Sequence, residues 1–159
     1  MAANDLPPCG LYRTLEAIGA IPAGRLVYFH NHGDPGPGMY LPETWNGNRA
    51  KFSQKGHLLP SPALAASLVP LPPEGFYRVE KTFHCCEKKC RLYETDALVQ
   101  LGYDGAATPI LFEPSWDGPK LSLPDRGTRI DFEVLLHLAP LRVNSKQGGE
   151  GGADPFFVH

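Results

Sequence analysis

The chain has 159 residues, of which 42% are hydrophobic and 20% charged, and this indicates one ordinary folded domain or two very small ones. Its 17 glycines and 17 prolines exclude a helical bundle or a coiled coil, because both residues interrupt helix interiors. The net charge of −2 gives no general attraction to nucleic acid or to anionic membranes, and no run of apolar residues is long enough to span a bilayer.

The amino-terminal residues lack the basic patch and the apolar core of a secretory signal, so the sequence predicts a cytoplasmic protein. In that reducing compartment, the four cysteines are expected to be thiols or metal ligands rather than disulfides.

Five landmarks recur in the same order in the two halves of the chain, roughly 70 residues apart, and they include both tryptophans. The pairs are Leu11 and Phe76, Leu26 and Leu98, Trp45 and Trp116, Gly56 and Gly127, and Leu68 and Leu138. This pattern indicates a tandem duplication of a unit of about 65 residues.

In the first copy, short apolar runs predict strands that begin at Tyr12, cover 26–29 and 39–41, and continue at 50–53 after an Asn46-Gly47 hairpin turn. A short helical turn and a closing strand follow, with Ser61 as the N-cap and Pro62 in the first helical position.

The second copy repeats the hairpin signal at Asp117-Gly118, and Asp131 is the predicted cap of its helical turn. The sequence therefore predicts an all-β chain: a tandem duplication of a small five-stranded SH3-like barrel, or alternatively an OB-like barrel, each with one short helical turn. The predicted divisions are an amino-terminal extension (1–10), a first barrel (11–71), a linker (72–75), a second barrel with a cysteine-rich insertion (76–143) and a Gly-rich tail (144–159).

The insertion of the second copy carries most of the candidate metal ligands. Cys86 and Cys90 have a spacing that lets two thiolates share one turn, and Cys85 and His84 lie beside them. With Cys9, which precedes the first strand, these residues predict a zinc site that would join the two barrels. A thiol-bearing loop without metal and a loop in which Cys85 and Cys86 oxidise reversibly are the alternatives.

A second group of candidate ligands follows the strand at 26–29. His30 and His32 project from the same face if the strand continues, and Asp34 and His57 are candidates to complete a metal site there. Exposed polar loop residues are the alternative. The sequence has no nucleophile elbow, phosphate loop, dinucleotide fingerprint or His-Glu-x-x-His motif, so it predicts a protein that is not an enzyme.

Three aromatic features predict contact surfaces. Trp45 and Trp116 each lie beside a hairpin turn, where each either anchors a partner or caps its own barrel. The tail ends in an apolar segment after a flexible Gly-rich linker, and this segment is either a ligand for another protein or a cover for its own barrel. Its candidate contact residues are Pro155, Phe156 and Phe157.

Together these features favour a non-enzymatic protein–protein interaction module, which acts as an adaptor, a regulator or a structural component of a larger assembly. The alternative is a zinc-binding regulator that contacts nucleic acid through basic residues near the cysteine loop. A small metal-dependent enzyme that uses the His30/His32 face is the second alternative. The expected partner is another protein or a multi-protein assembly rather than nucleic acid or a membrane.

Overall fold

The structure, a computed structural model, describes residues 6–33 and 35–141. The chain separates into two compact units. The first unit contains the described residues up to 73 together with 103–108, and the second contains 74–102 and the described residues from 109 onward. Strands predominate over helices in both units, so the predicted all-β class is confirmed.

The first unit has a five-stranded antiparallel sheet and a separate hairpin. Its strands are β1 (Gly10–Thr14), β2 (Leu26–His30), β3 (Gly38–Tyr40), β4 (Pro42–Asn46), β5 (Arg49–Phe52), β6 (His57–Leu58) and β7 (Leu68–Pro70). The sheet has the order β6-β3-β2-β1-β7, and β4 pairs with β5 in the hairpin.

The second unit has a sheet of the same size and two separate strand pairs. Its strands are β8 (Gly75–Val79), β9 (Phe83–His84), β10 (Leu92–Tyr93), β11 (Leu98–Tyr103), β12 (Pro109–Phe112), β13 (Ser115–Asp117), β14 (Lys120–Ser122), β15 (Thr128–Arg129) and β16 (Leu138–Pro140). The sheet has the order β15-β12-β11-β8-β16, while β13 pairs with β14 and β9 pairs with β10.

Neither of the five-stranded sheets in the described residues closes into a barrel. The edge strands are β6 and β7 in the first sheet and β15 and β16 in the second, and the two edges of a sheet do not pair with each other. Closure requires a full ladder between the edges, and β6 and β15 have only two residues each. The predicted SH3-like or OB-like barrels are therefore not confirmed, and the tandem duplication stays a prediction. In both sheets, the strand that comes first along the chain lies between the second and the last.

The predicted hairpin of the first unit forms, with its turn one residue later than expected. Strand pairing joins Asn46 to Arg49, so the loop residues are Gly47 and Asn48. Their φ angles are 60° and 66°, which is the left-handed backbone that a type I′ turn requires at both central positions.

The hairpin of the second unit is displaced in the same direction. Asp117 pairs with Lys120, which leaves Gly118 and Pro119 as the loop residues. Gly118 has a φ of 62°, whereas the proline ring keeps the next φ angle negative. In both hairpins the cross-strand pairing, which the local sequence does not reveal, decides which residues make the turn.

Both predicted helical turns form as 3₁₀ helices, at Pro62–Ser67 and Phe132–His137. Ser61 and Asp131 occupy the N-cap positions as predicted, but neither side chain makes a capping hydrogen bond. Each helix buries one side chain, so packing rather than capping holds these short turns in place.

The core of the first unit lies against the inward faces of its sheet. The buried side chains alternate along β1, and the rings of Tyr12 and Phe29 meet edge to face with centroids 5.9 Å apart. The buried members of this core are Tyr12, Ile18, Ile21, Val27, Phe29, Met39, Ala65 and Leu68. In the second unit, β11 is buried along almost its whole length, which is typical of a central strand covered on both faces.

The β9–β10 ribbon lies in the interval where the sequence predicts an insertion, and the cysteine loop forms its tip. In the corresponding interval the described part of the first unit has an isolated bridge between Ile18 and Ile21. Among residues 6–33 and 35–141, no helix has the length and apolar character needed to cross a membrane.

Candidate metal centre and aromatic hairpins

Strand pairing brings three potential metal ligands together at one end of the first sheet. β1 and β2 run antiparallel, with Gly10 opposite Phe29. Cys9 precedes β1 and His30 is the last residue of β2, so this register places the two residues side by side. His32 follows two residues later, and its ring centroid lies 4.0 Å from that of His30.

The donor atoms of this group are close enough to share one ion. The Sγ atom of Cys9 lies 3.5 Å from Nδ1 of His30 and 3.9 Å from Nδ1 of His32. One potential ligand atom from each residue lies within 4.8 Å of the other two. Cys9 and His30 are half-buried and His32 is exposed, so the group opens toward solvent on the His32 side. Cys9, His30 and His32 can therefore hold a metal ion.

Asn31 organises this group, a role that the sequence analysis did not assign to it. Its Oδ1 atom accepts hydrogen bonds from the Cys9 thiol at 3.2 Å and from Nδ1 of His32 at 2.8 Å. Its backbone N–H donates to Cys9 Sγ at 3.3 Å, and its side-chain amide donates to the Pro7 carbonyl at 3.1 Å. The position of Asn31 between two candidate ligands is the signal that could have pointed to this role.

The structure thus groups the candidate metal ligands differently from the sequence-based prediction. The sequence placed Cys9 with the cysteine loop, but in the first unit Cys9 has His30 and His32 as its neighbours. His57 lies on β6 opposite Met39 and is not a member of the group. Asp34 lies outside the described residues. The zinc site that combines Cys9 with the cysteine loop stays a prediction.

The thiols of the cysteine loop differ in their surroundings. Cys85 is buried, Cys86 is half-buried with its Sγ 3.5 Å from that of Cys85, and Cys90 is exposed. The backbone N–H of Cys90, and to a smaller extent the Cys85 thiol and the backbone of Lys88, lower the pKa of Cys86 below its ordinary value. The neighbouring Cys86 side chain raises the pKa of Cys90. Cys86 is therefore the more readily ionised of these two thiols.

Trp45 is held by its own unit. It is 43% exposed, and its indole N–H donates to the backbone carbonyl of Tyr103 at 2.8 Å. The edge of the ring lies near Gly105, where an added Cβ would be 3.8 Å from Cη2 of Trp45. Residues 103–108, here called the 103–108 turn, belong to the first unit and are shaped by Asp104, whose carboxylate accepts two backbone N–H bonds.

Trp116 lies in the matching hairpin with a different environment. It is 70% exposed, and its cross-strand partner Leu121 is 36% exposed. All residues of β13 and β14 are exposed. The predicted contact residues Pro155, Phe156 and Phe157 lie outside the described residues.

Comparison with protein-family models, with curated proteins and with solved structures finds no match for this chain.

Proposed function

We propose that the protein is a non-enzymatic interaction module, an adaptor or a structural component of a larger assembly, which binds a partner protein through the β13–β14 hairpin. One observation carries the proposal: Trp116 and Leu121 form a cross-strand apolar pair, with Trp116 70% exposed. Aromatic side chains of this kind are enriched among the residues that contribute most to protein interfaces. The absence of catalytic motifs in the sequence supports the non-enzymatic part.

The β4–β5 hairpin supports the proposal with an example from the same chain. There, the tryptophan next to the turn donates its indole N–H to the carbonyl of Tyr103, and the edge of its ring lies near Gly105. An indole has one donor and a large apolar face, so it fits a surface that offers a carbonyl beside small residues. The 103–108 turn is such a surface, with the sequence Tyr-Asp-Gly-Ala-Ala-Thr.

The partner is therefore a protein with an exposed tight turn of small residues and a free backbone carbonyl. Larger side chains in the turn would separate the indole ring from the backbone, and a carbonyl already bonded would leave the indole N–H without an acceptor. Leu121 adds apolar area next to the ring, which favours alanine or glycine at the positions of the turn that face the hairpin.

The experiment uses a cyclic peptide that contains the sequence of residues 103–108, titrated into the ¹⁵N-labelled full chain. We expect the indole N–H resonance of Trp116 to shift with peptide concentration, while that of Trp45 stays in place. Trp116→Ala should abolish the binding and Leu121→Ala should weaken it about tenfold. Leu136→Ala is the matched control, because Leu136 is 82% exposed and lies outside the hairpin. Unchanged resonances at about 1 mM peptide, or equal binding by Trp116→Ala, would refute the proposal.

The second candidate function is zinc binding, the metal-binding part of a zinc-dependent regulator. The Cys9, His30 and His32 group favours it, because thiolate and imidazole are the ligands that zinc prefers. No observation in the described residues favours the nucleic-acid part: the chain has a net charge of −2, and Arg91 beside the cysteine loop forms an ion pair with Glu113.

A further inference from the structure

We infer that Cys9, His30 and His32 bind one zinc ion, which links the chain ahead of β1 to the end of β2. The inference rests on the second candidate function and gives it a site and a ligand set. One sulfur and two nitrogens supply three positions of a tetrahedral zinc site, and the fourth is open to water or to a ligand from solution.

The distances between the donor atoms fit such a site. Zinc–sulfur bonds of about 2.3 Å and zinc–nitrogen bonds of about 2.05 Å, at a tetrahedral angle, place sulfur and nitrogen about 3.6 Å apart. The two separations from Cys9 Sγ, 3.5 Å to His30 Nδ1 and 3.9 Å to His32 Nδ1, lie on either side of this value. The ligands therefore need only small side-chain adjustments to bind one ion, and binding through Sγ and Nδ1 releases the protons that Cys9 and His32 donate to Asn31 Oδ1.

Hydrogen bonds position the Cys9, His30 and His32 group without a bound ion. The backbone N–H of Asn31 donates to Cys9 Sγ, a hydrogen bond that a zinc-bound thiolate can still accept, and the Asn31 side-chain amide donates to the Pro7 carbonyl. The Tyr12 hydroxyl donates to the Pro8 carbonyl at 2.6 Å, which fastens the same segment to β1. Ligands that are already positioned lose little conformational entropy on binding, and this raises the affinity.

The ligand set selects the class of metal. A thiolate and two imidazoles suit zinc and other borderline or soft transition metals, whereas magnesium and calcium require oxygen ligands. Because His32 is exposed, the open position faces solvent and a bound water can exchange there. This site shares only Cys9 with the zinc site predicted from the sequence, since it uses no residue of the cysteine loop.

The experiment measures zinc binding by the full chain, with any affinity tag removed, by isothermal titration and by metal analysis after dialysis. We expect one zinc per chain, a higher midpoint of thermal unfolding with zinc, and no response to magnesium. Cys9→Ser and His32→Ala should each weaken zinc binding at least 100-fold, and Asn31→Ala about tenfold because it positions the ligands without binding the ion. His57→Ala is the matched histidine control and should bind zinc as the unchanged chain does.

Cobalt(II) identifies the site by its spectrum. A cobalt–thiolate charge-transfer band should be present in the unchanged chain and in Cys86→Ser/Cys90→Ser, and it should be missing in Cys9→Ser. Zinc that is lost from the Cys86→Ser/Cys90→Ser variant would overturn this inference, whether or not it survives Cys9→Ser, although zinc binding itself would stand. A chain that binds no zinc would overturn both. Neither result affects the peptide test at Trp116, so the interaction proposal fails or succeeds separately.

Discussion

Trp45 and Trp116 precede the turns of two hairpins that follow the third strand of their sheets, yet one is held by its own unit and the other faces solvent. Trp45 donates its indole N–H to the carbonyl of Tyr103, whereas Trp116 is 70% exposed beside Leu121. Their local sequences are alike, since each tryptophan is followed by Asn-Gly or Asp-Gly. The difference comes from the 103–108 turn, which the first unit includes and which lies far from Trp45 in sequence.

This contrast shows that the role of the tryptophan in such a hairpin depends on which residues lie opposite the hairpin. Held against the 103–108 turn, the tryptophan contributes to the stability of its unit. Exposed next to Leu121, it provides apolar area that an interface can bury. Substitutions at matched positions of the two units test whether the two positions contribute differently to stability.

The largest expected effect concerns the matched glycines Gly56 and Gly127. An added Cβ at Gly127 would meet the backbone oxygen of Leu111 at 2.5 Å, and a backbone atom cannot move aside. At Gly56 the nearest atom, at 2.6 Å, belongs to the Tyr40 ring, which can rotate. Gly127→Ala should therefore lower the free energy of unfolding by about 3 kcal/mol and Gly56→Ala by about 1 kcal/mol. Denaturant unfolding measures both, and equal losses would contradict the argument.

The next largest expected effect is the difference between Trp45 and Trp116 in how much their substitution lowers the free energy of unfolding. Trp45→Ala removes ring contacts and the hydrogen bond from the indole N–H to the Tyr103 carbonyl, so it should lower the free energy of unfolding by about 2 kcal/mol. Trp116→Ala should change it by less than about 0.5 kcal/mol, as expected for an exposed side chain. Trp45→Phe keeps most of the ring and should cost about 1 kcal/mol for the hydrogen bond alone. Equal losses for the two alanine variants would show that Trp116 is also held.

The smallest expected effect is a difference in alkylation rate between two thiols of the cysteine loop. This loop has no counterpart in the described part of the first unit. The Cys90 backbone N–H lowers the pKa of Cys86, while the Cys86 side chain raises that of Cys90. Because thiolate is the reactive form, Cys86 should be alkylated faster near pH 7.5. The difference should narrow as the pH rises and both thiols ionise. Peptide mass spectrometry after brief iodoacetamide treatment measures both rates. Exposure alone favours Cys90, so faster modification of Cys90 would refute the pKa argument.

The local elements were predictable because their signals are local. The strands near Tyr12 and at 26–29, both hairpins and both helical turns follow from apolar patterns and from turn residues a few positions apart. The hairpin turns were misplaced by one residue, since the pairing of Asn46 with Arg49 depends on the whole ladder rather than on the Asn-Gly pair. Short sequence patterns also could not predict whether a sheet closes into a barrel, because closure depends on whether the edge strands are long enough to pair.

The candidate metal centre could likewise be predicted only in part from the sequence. The sequence by itself singled out Cys9, His30 and His32 as possible ligands, because their chemistry is a property of each residue. Only the tertiary structure grouped them, through an antiparallel register that places Gly10 opposite Phe29 and so brings position 9 beside position 30. The sequence likewise marked both tryptophans, while the structure decided which one is held and which is exposed. The physical reason is that residue chemistry and turn formation depend on neighbours along the chain, whereas ligand grouping and burial depend on contacts between distant segments.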